Sequence, residues 1–260
     1  MTPMRTALVA TAIALGFAAA VAAAPDGPIP ADQKVREVVL VHGAFADGSG
    51  WRGVYDELTG RGYRVSIVQN PLTSLDDDVA AARRVIARHK GPVILVGHSY
   101  GGAVITEAGI DPRVAGLVYV SALAPDVGET GADQFADYPP PPEFVIETGE
   151  DGFGFVRSES FKVGFAGDLS DADAAFLRDS QAPLNMAVFG TEIRHAAWRT
   201  LPSWAVIATE DKAIDPRLLR LTAERIGARI VEVKASHVPF LTQPEAVADA
   251  IDDAARDLSR

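Results

Sequence analysis

Residues 93–102 read VILVGHSYGG, and AVITEAG follows directly. VILV is a short unbroken apolar run, the pattern of a strand buried on both faces. AVITEAG reads as a helix. Strand and helix meet across Gly97-His98-Ser99-Tyr100-Gly101, which leaves no room for a loop. One serine therefore sits in a sharp strand-to-helix turn, flanked at two-residue spacing by glycines that do not crowd it. A chain built around such a junction has few folds open to it: the strand belongs inside a sheet and the helix covers that sheet.

The rest of the sequence repeats the alternation. VVLVH (38–42), RVSIV (64–68), VILV (93–96), VAGLVYVS (114–121), WAVIAT (204–209) and RIVEV (229–233) read as strands. Helices are expected from Trp51 to Thr59, over 75–90, in AVITEAG after the serine turn, from Pro216 to Ile226, and over the closing PEAVADAIDDAARDL. The helix over 75–90 has acids in its first turn and bases in its last, as the helix dipole prefers. Apolar strands separated by helices predict an α/β fold, a mostly parallel sheet with helices on both faces. Residues 126–203 break the rhythm. A structureless loop of that length does not suit a compact domain, so the segment is expected to be a helical cap inserted between the fourth and fifth strands. SESFKVGF and SDADAAFLRDSQ read as its helices, the second with a Ser-x-x-Asp start. YPPPPE (138–143) reads as a hinge-like break. Eight of the eleven Phe residues fall in this segment, enough for a core of its own, an apolar pocket wall, or both. The expected organisation is thus a core over 25–125 and 204–260, with the cap over 126–203.

The N-terminus carries a different pattern. MTPMR, then ALVATAIALGFAAA, then VAAAP gives the basic, apolar and small-residue regions of a signal peptide over 1–24. Cleavage is expected near Ala22 or Ala23, because Pro25 disfavours a cut after Ala24. The apolar run is shorter than the roughly 20 residues of a spanning helix. The expectation is an exported protein, periplasmic or secreted, with no stable membrane anchor after cleavage. There are no cysteines, which excludes disulfides, thiolate nucleophiles and Cys-ligated metals. A formal net charge of -11 argues against nucleic acid as a partner, since phosphate binding needs clustered Lys and Arg. No H-E-x-x-H, G-x-G-x-x-G or phosphate loop occurs, so neither a metal nor a cofactor is expected.

Gly97-His98-Ser99-Tyr100-Gly101 is a G-x-S-x-G nucleophile elbow in its proper context, strand before and helix after. A serine hydroxyl needs a base to take its proton. Of the five histidines, His98 points to the other side of the turn, His89 ends a charged helix, His195 lies in the cap, and His42 braces the loop after the first strand. His237 follows the sixth strand, on a loop at the sheet edge that can reach the elbow, and is the expected base. The orienting acid falls between Ser99 and His237 in chain order. Asp211 lies two residues past the fifth strand. Glu210 points the opposite way, Asp215 beside Pro216 suits a helix N-cap, and Asp126 beyond the fourth strand is an alternative. The loop His42-Gly43-Ala44-Phe45 resembles the HG-type loop that supplies an oxyanion donor, so the N–H groups of Ala44 and Tyr100 are the expected oxyanion hole. Phe45, Leu123 and Phe240 adjoin these elements in sequence and either bind substrate or belong to the core.

HGAFADGSGW, GHSYGG, ATEDKAIDP and SHVPFLTQPE together resemble the α/β-hydrolase superfamily over essentially the whole mature chain. More narrowly they resemble the bacterial serine esterase branch related to plant methylesterases and hydroxynitrile lyases. The resemblance implies an α/β-hydrolase fold and cofactor-independent cleavage of a small-molecule carboxylic ester through an acyl-enzyme, with Ser99, Asp211 and His237 as the triad. Lyases of this branch typically carry Thr where this chain has Gly43 and Lys where it has Val238, and both departures favour the esterase side. A serine nucleophile argues against haloalkane dehalogenase and epoxide hydrolase chemistry. Lactone or C–C bond hydrolysis, perhydrolysis, lipase action under an apolar lid, and non-catalytic binding of a small ligand stay open on the same fold.

Overall fold

The structure is a computed structural model that describes residues 33–260. The signal peptide expected over 1–24 and its cleavage site lie outside the described residues. Six strands form one parallel sheet: β1 (Glu37–Val41), β2 (Arg64–Val68), β3 (Val93–His98), β4 (Val114–Val120), and later in the chain β8 (Ser203–Ala208) and β9 (Arg229–Val233). Their spatial order is β2-β1-β3-β4-β8-β9, and every neighbouring pair runs parallel. Position in the sheet explains composition. β1, β3 and β8 are buried at every residue, as unbroken apolar runs require. The edge strands β2 and β9 carry Arg, Ser and Glu; β9 is mostly exposed and β2 mostly half-buried.

Helices cover both faces. α1 (Arg52–Gly60) packs against α8 (Pro244–Asp257), and α2 (Leu75–Ile86) against α3 (Gly101–Ala108). α6 (Pro216–Arg225) covers β8 and β9. α2 ends at Ile86, four residues short of the expected boundary. His89 lies beyond it, where its Nδ1 bonds the buried Glu37 carboxylate at the start of β1.

Between β4 and β8 the chain leaves the sheet. The segment contains α4 (Ser158–Phe165) and α5 (Asp171–Asp179), the latter capped by Ser170, whose hydroxyl accepts from Asp173 N–H. It is not wholly helical. β5 (Ile146–Thr148), β6 (Phe153–Val156) and β7 (Leu184–Asn185) form a small antiparallel sheet, which corrects the helical reading. These strands are two to four residues long, too short to show an alternating pattern. One last short helix, α7 (Pro239–Thr242), follows β9.

Candidate active site

The sheet dictates where a site can form. After β1 the chain goes outward to β2, then returns to the other side of β1 as β3. The strand order reverses there, and a crevice opens at the carboxyl ends of β1 and β3. The loop after β1 supplies Gly43 and Ala44, and the turn after β3 supplies Ser99. The two approach closely. A Cβ placed on Gly43 would stand 2.8 Å from Ser99 Cβ and 2.9 Å from the His98 carbonyl oxygen. Glycine is required at this position, and the backbone leading to Ala44 passes beside the serine.

Ser99 adopts φ 53°, the left-handed region that a non-glycine residue enters at a cost. Its N–H donates to Val120 C=O, and its own carbonyl accepts from Gly102 and Leu123 N–H. The surroundings thus hold the strained turn in place. On Gly97 and Gly101 a Cβ would meet backbone atoms at 2.5 and 2.7 Å, so the flanking glycines answer close packing rather than unusual dihedrals.

His237 Nε2 lies 2.9 Å from Ser99 Oγ, and His237 Nδ1–H donates to Asp211 Oδ2 at 2.7 Å. His237 and Asp211 are buried, whereas Ser99 is half-buried and reaches open space. The second Asp211 oxygen accepts from Ala213 and Ile214 N–H at 2.8 and 2.9 Å. Both carboxylate oxygens are therefore occupied, which fixes the imidazole with its proton on Nδ1 and its lone pair toward the serine. The other acids lie elsewhere. Asp126 pairs with Arg199, Glu210 with Lys234, and Asp215 caps α6 by accepting from Arg217 N–H.

Neither the Ala44 N–H nor the Tyr100 N–H has an acceptor among the described residues. Tyr100 stands at the start of α3, where the first N–H groups of a helix have no partner within it. Its hydroxyl turns inward and donates to the buried Asp78 at 2.8 Å. Asp78 also accepts from Leu72 N–H, and burial pushes its carboxyl above the ordinary value.

Two buried histidines brace this frame. His42 donates from Nδ1 to Gly43 C=O, and its Nε2 accepts from Asn70 N–H. His98 donates from Nε2 to the His237 carbonyl at 2.8 Å. Burial drives both pKa values down, that of His98 well below the ordinary histidine value, so both rings are neutral. His98 therefore links the strand that bears the serine to the backbone of the base.

A cavity of about 210 Å³ opens over Ser99 and His237. Ala44, Phe45 and Leu123 line it from the sheet side. Phe135, Phe144, Phe165 and Phe189 line it from the segment between β4 and β8. Of the residues expected to bind substrate, Phe45 and Leu123 face this space. Phe240 does not; its ring packs between Trp51 and His98, each 4.6 Å away by ring centroids. Its place next to the base in sequence was misleading, because α7 turns the side chain behind the imidazole. Of YPPPPE, Pro140 stands in the cavity wall, and Tyr138 lies under the Arg217 guanidinium at 5.2 Å. Among the described residues that line it, only Ser99 and His237 have polar side chains.

Comparison with known proteins agrees with this architecture. Residues 38–250 match the family model described as Alpha/beta hydrolase family. A pyrethroid hydrolase of Sphingobium wenxiniae is 28% identical over 256 residues, covering 84% of this chain and 87% of that protein. A crystal structure of a pyrethroid hydrolase superposes with a TM-score of 0.75 at 24% identity, over 87% of this chain and all of that one. That of polyneuridine aldehyde esterase superposes at 0.72 and 18% identity, over 85% and 99%.

Proposed function

The chain belongs to the α/β-hydrolase family, and from that premise we propose that it hydrolyses small, uncharged, largely apolar carboxylic esters through Ser99, His237 and Asp211. The observation that carries this reading is the hydrogen-bonded chain from Asp211 through His237 to Ser99, opening into an apolar cavity. His237 Nε2 takes the Ser99 proton as Oγ attacks the ester carbonyl carbon. The carbonyl oxygen becomes an oxyanion, which the Ala44 and Tyr100 N–H groups stabilise. Asp211 holds the tautomer and offsets the charge of the imidazolium. The tetrahedral species collapses, the C–O bond breaks, and the alcohol leaves with the proton from His237. Water then repeats the sequence on the acyl-Ser99 and frees the acid.

The cavity supports the substrate class. Among the described residues no Lys, Arg, Asp or Glu lines it, so a charged substrate would lose its hydration without a partner. A neutral ester enters at no such cost. Its carboxylate product has no cation to hold it, which favours release. Gly43 and Val238 support hydrolysis over the lyase reaction. A Thr at 43 meets the close contact at Ser99 already described, and the buried Val238 puts no amine beside the base. The signal-peptide pattern supports an exported enzyme.

The test is hydrolysis of p-nitrophenyl esters from acetate to long-chain acyl groups, with a pyrethroid added, by wild type and Ser99→Ala. Wild type should turn over short to medium esters, and Ser99→Ala should lose activity by about 10⁴-fold or more. Equal rates for the two proteins, or a folded wild type that turns over no ester, would overturn the reading.

A further inference from the structure

The backbone around His237 is held by more than the sheet. Asp168, in the link between α4 and α5, accepts three hydrogen bonds from its two flanks. Ser236 N–H donates to Oδ2 at 3.1 Å, the Ser236 hydroxyl donates to Oδ1, and the Thr242 hydroxyl donates to Oδ2 at 2.7 Å. Ser236 immediately precedes His237, and Thr242 closes the helix that follows it. Phe165, three residues before Asp168, sets its ring edge-on to the His237 imidazole at 5.1 Å between centroids. One corner of the segment between β4 and β8 therefore grips His237 twice, by ring and by backbone. We infer that Asp168 is a positioning residue for His237, tying the alignment of the base to the seating of the segment that roofs the cavity. This rests on the reading of His237 as the base.

The physical case is one of satisfied donors. Ser236 is buried, so its N–H and hydroxyl need acceptors inside the protein, and a single carboxylate supplies both. Asp168 keeps its outer side in solvent, so its charge is held with little desolvation. With Asp168 in place, the base is fixed from the core by His98 and from the roof by Asp168. Without it, the Asp211 bond to Nδ1 and the His98 bond to the His237 carbonyl remain, but the loop that carries the ring loses its anchor on the roof side, and the imidazole can shift by the fraction of an ångström that matters for proton transfer.

The test compares wild type, Asp168→Ala and Asp168→Asn on two readouts. One is kcat and KM on p-nitrophenyl butyrate. The other is long-range proton–nitrogen NMR of the histidine rings, which reports the His237 tautomer and needs no substrate. Asp168→Ala should lower kcat by about tenfold or more with KM within about threefold. Its His237 ring signals should shift and broaden relative to wild type, with the proton kept on Nδ1 by Asp211. Asp168→Asn, which keeps an acceptor oxygen, should fall between. If Asp168→Ala does not fold, Ser236→Ala combined with Thr242→Val removes the hydroxyl bonds and should give the same signs. Wild-type kcat together with unchanged His237 ring signals would overturn the inference. If wild type turns over no ester, the functional reading fails, while the ring-signal comparison still decides the role of Asp168.

Discussion

Ser99 carries its function at a local cost. Its φ of 53° belongs to a region where an L-residue with a Cβ is destabilised by about 1–2 kcal/mol. Phe45 and Ser121, at φ 60° and 44°, follow β1 and β4 and share this feature, so strain gathers at the strand ends that bound the site. A direct consequence can be measured. Ser99→Gly and Ser99→Ala both remove the hydroxyl, but only Gly relieves the backbone. Ser99→Gly should be the more stable of the two by about 1 kcal/mol, less what glycine loses through its freer unfolded state. Denaturant midpoints decide it, and a Ser99→Gly protein less stable than Ser99→Ala by the full entropic cost of glycine would mean that the turn is not strained. At this scale the sequence is informative where chemistry follows strand order. Ser99, Asp211 and His237 each stand just past a strand of the parallel sheet, so one edge brings them together. It is silent where a role arises only from a distant contact. Asp78 looks like one of three acids in a helical first turn, and nothing local shows that it holds the Tyr100 hydroxyl.

α3 has work at both ends. Its first turn receives the elbow, and Glu107 near its last turn anchors the returning chain ahead of β8. Glu107 is buried, and its carboxylate accepts from Arg194 N–H, His195 N–H and the His195 ring at 2.8–2.9 Å. Burial alone would raise its pKa, but these hydrogen bonds outweigh it and hold the value below the ordinary 4.5. A carboxyl depressed in the fold contributes stability that is complete above its unfolded pKa and is lost as pH falls through the folded one. Glu107→Gln should therefore cost about 1–3 kcal/mol near neutral pH. The gap from wild type should narrow as pH falls below the ordinary carboxyl value and on through the lowered one. Thermal melts across pH 3 to 7 test this, and a gap that does not narrow toward pH 3 would refute it. The helix itself was legible, as were the six strands of the large sheet, because each carries its own hydrophobic period. β5, β6 and β7 were not. Their pairing is set by neighbours up to some thirty residues away, across a turn in which Gly152 takes φ 81°, and no period fits in so few residues.

At the scale of the molecule, the sheet and the segment between β4 and β8 divide the labour. The sheet edge holds every group assigned to bond making and breaking. The roof supplies most of the cavity wall and, beyond positioning by Asp168, none of the reacting atoms. The abundance of Phe in this segment now has a distribution: four rings face the cavity, Phe161 is buried, and Phe176 lies on the surface. Specificity should then be separable from catalysis. Phe144 is the clearest probe. It lies in the wall, half-buried, with its ring 6.3 Å from Phe45 and 6.2 Å from Phe165 by centroids, and its ring partners are aromatic walls rather than the hydrogen-bonded chain. Phe144→Ala should enlarge the space beside the acyl or alcohol arm and leave the reacting atoms in place. Each methylene newly accommodated in an apolar site is worth about 1 kcal/mol or more. The ratio of kcat/KM for an octanoyl ester to that for acetate should rise about tenfold, while acetate itself changes little. Ile146→Phe, which fills the same wall, should move the ratio the other way. Opposite shifts with acetate turnover preserved would place chain-length choice in the roof. A parallel loss on all esters would mean instead that these walls hold the base and the serine in register.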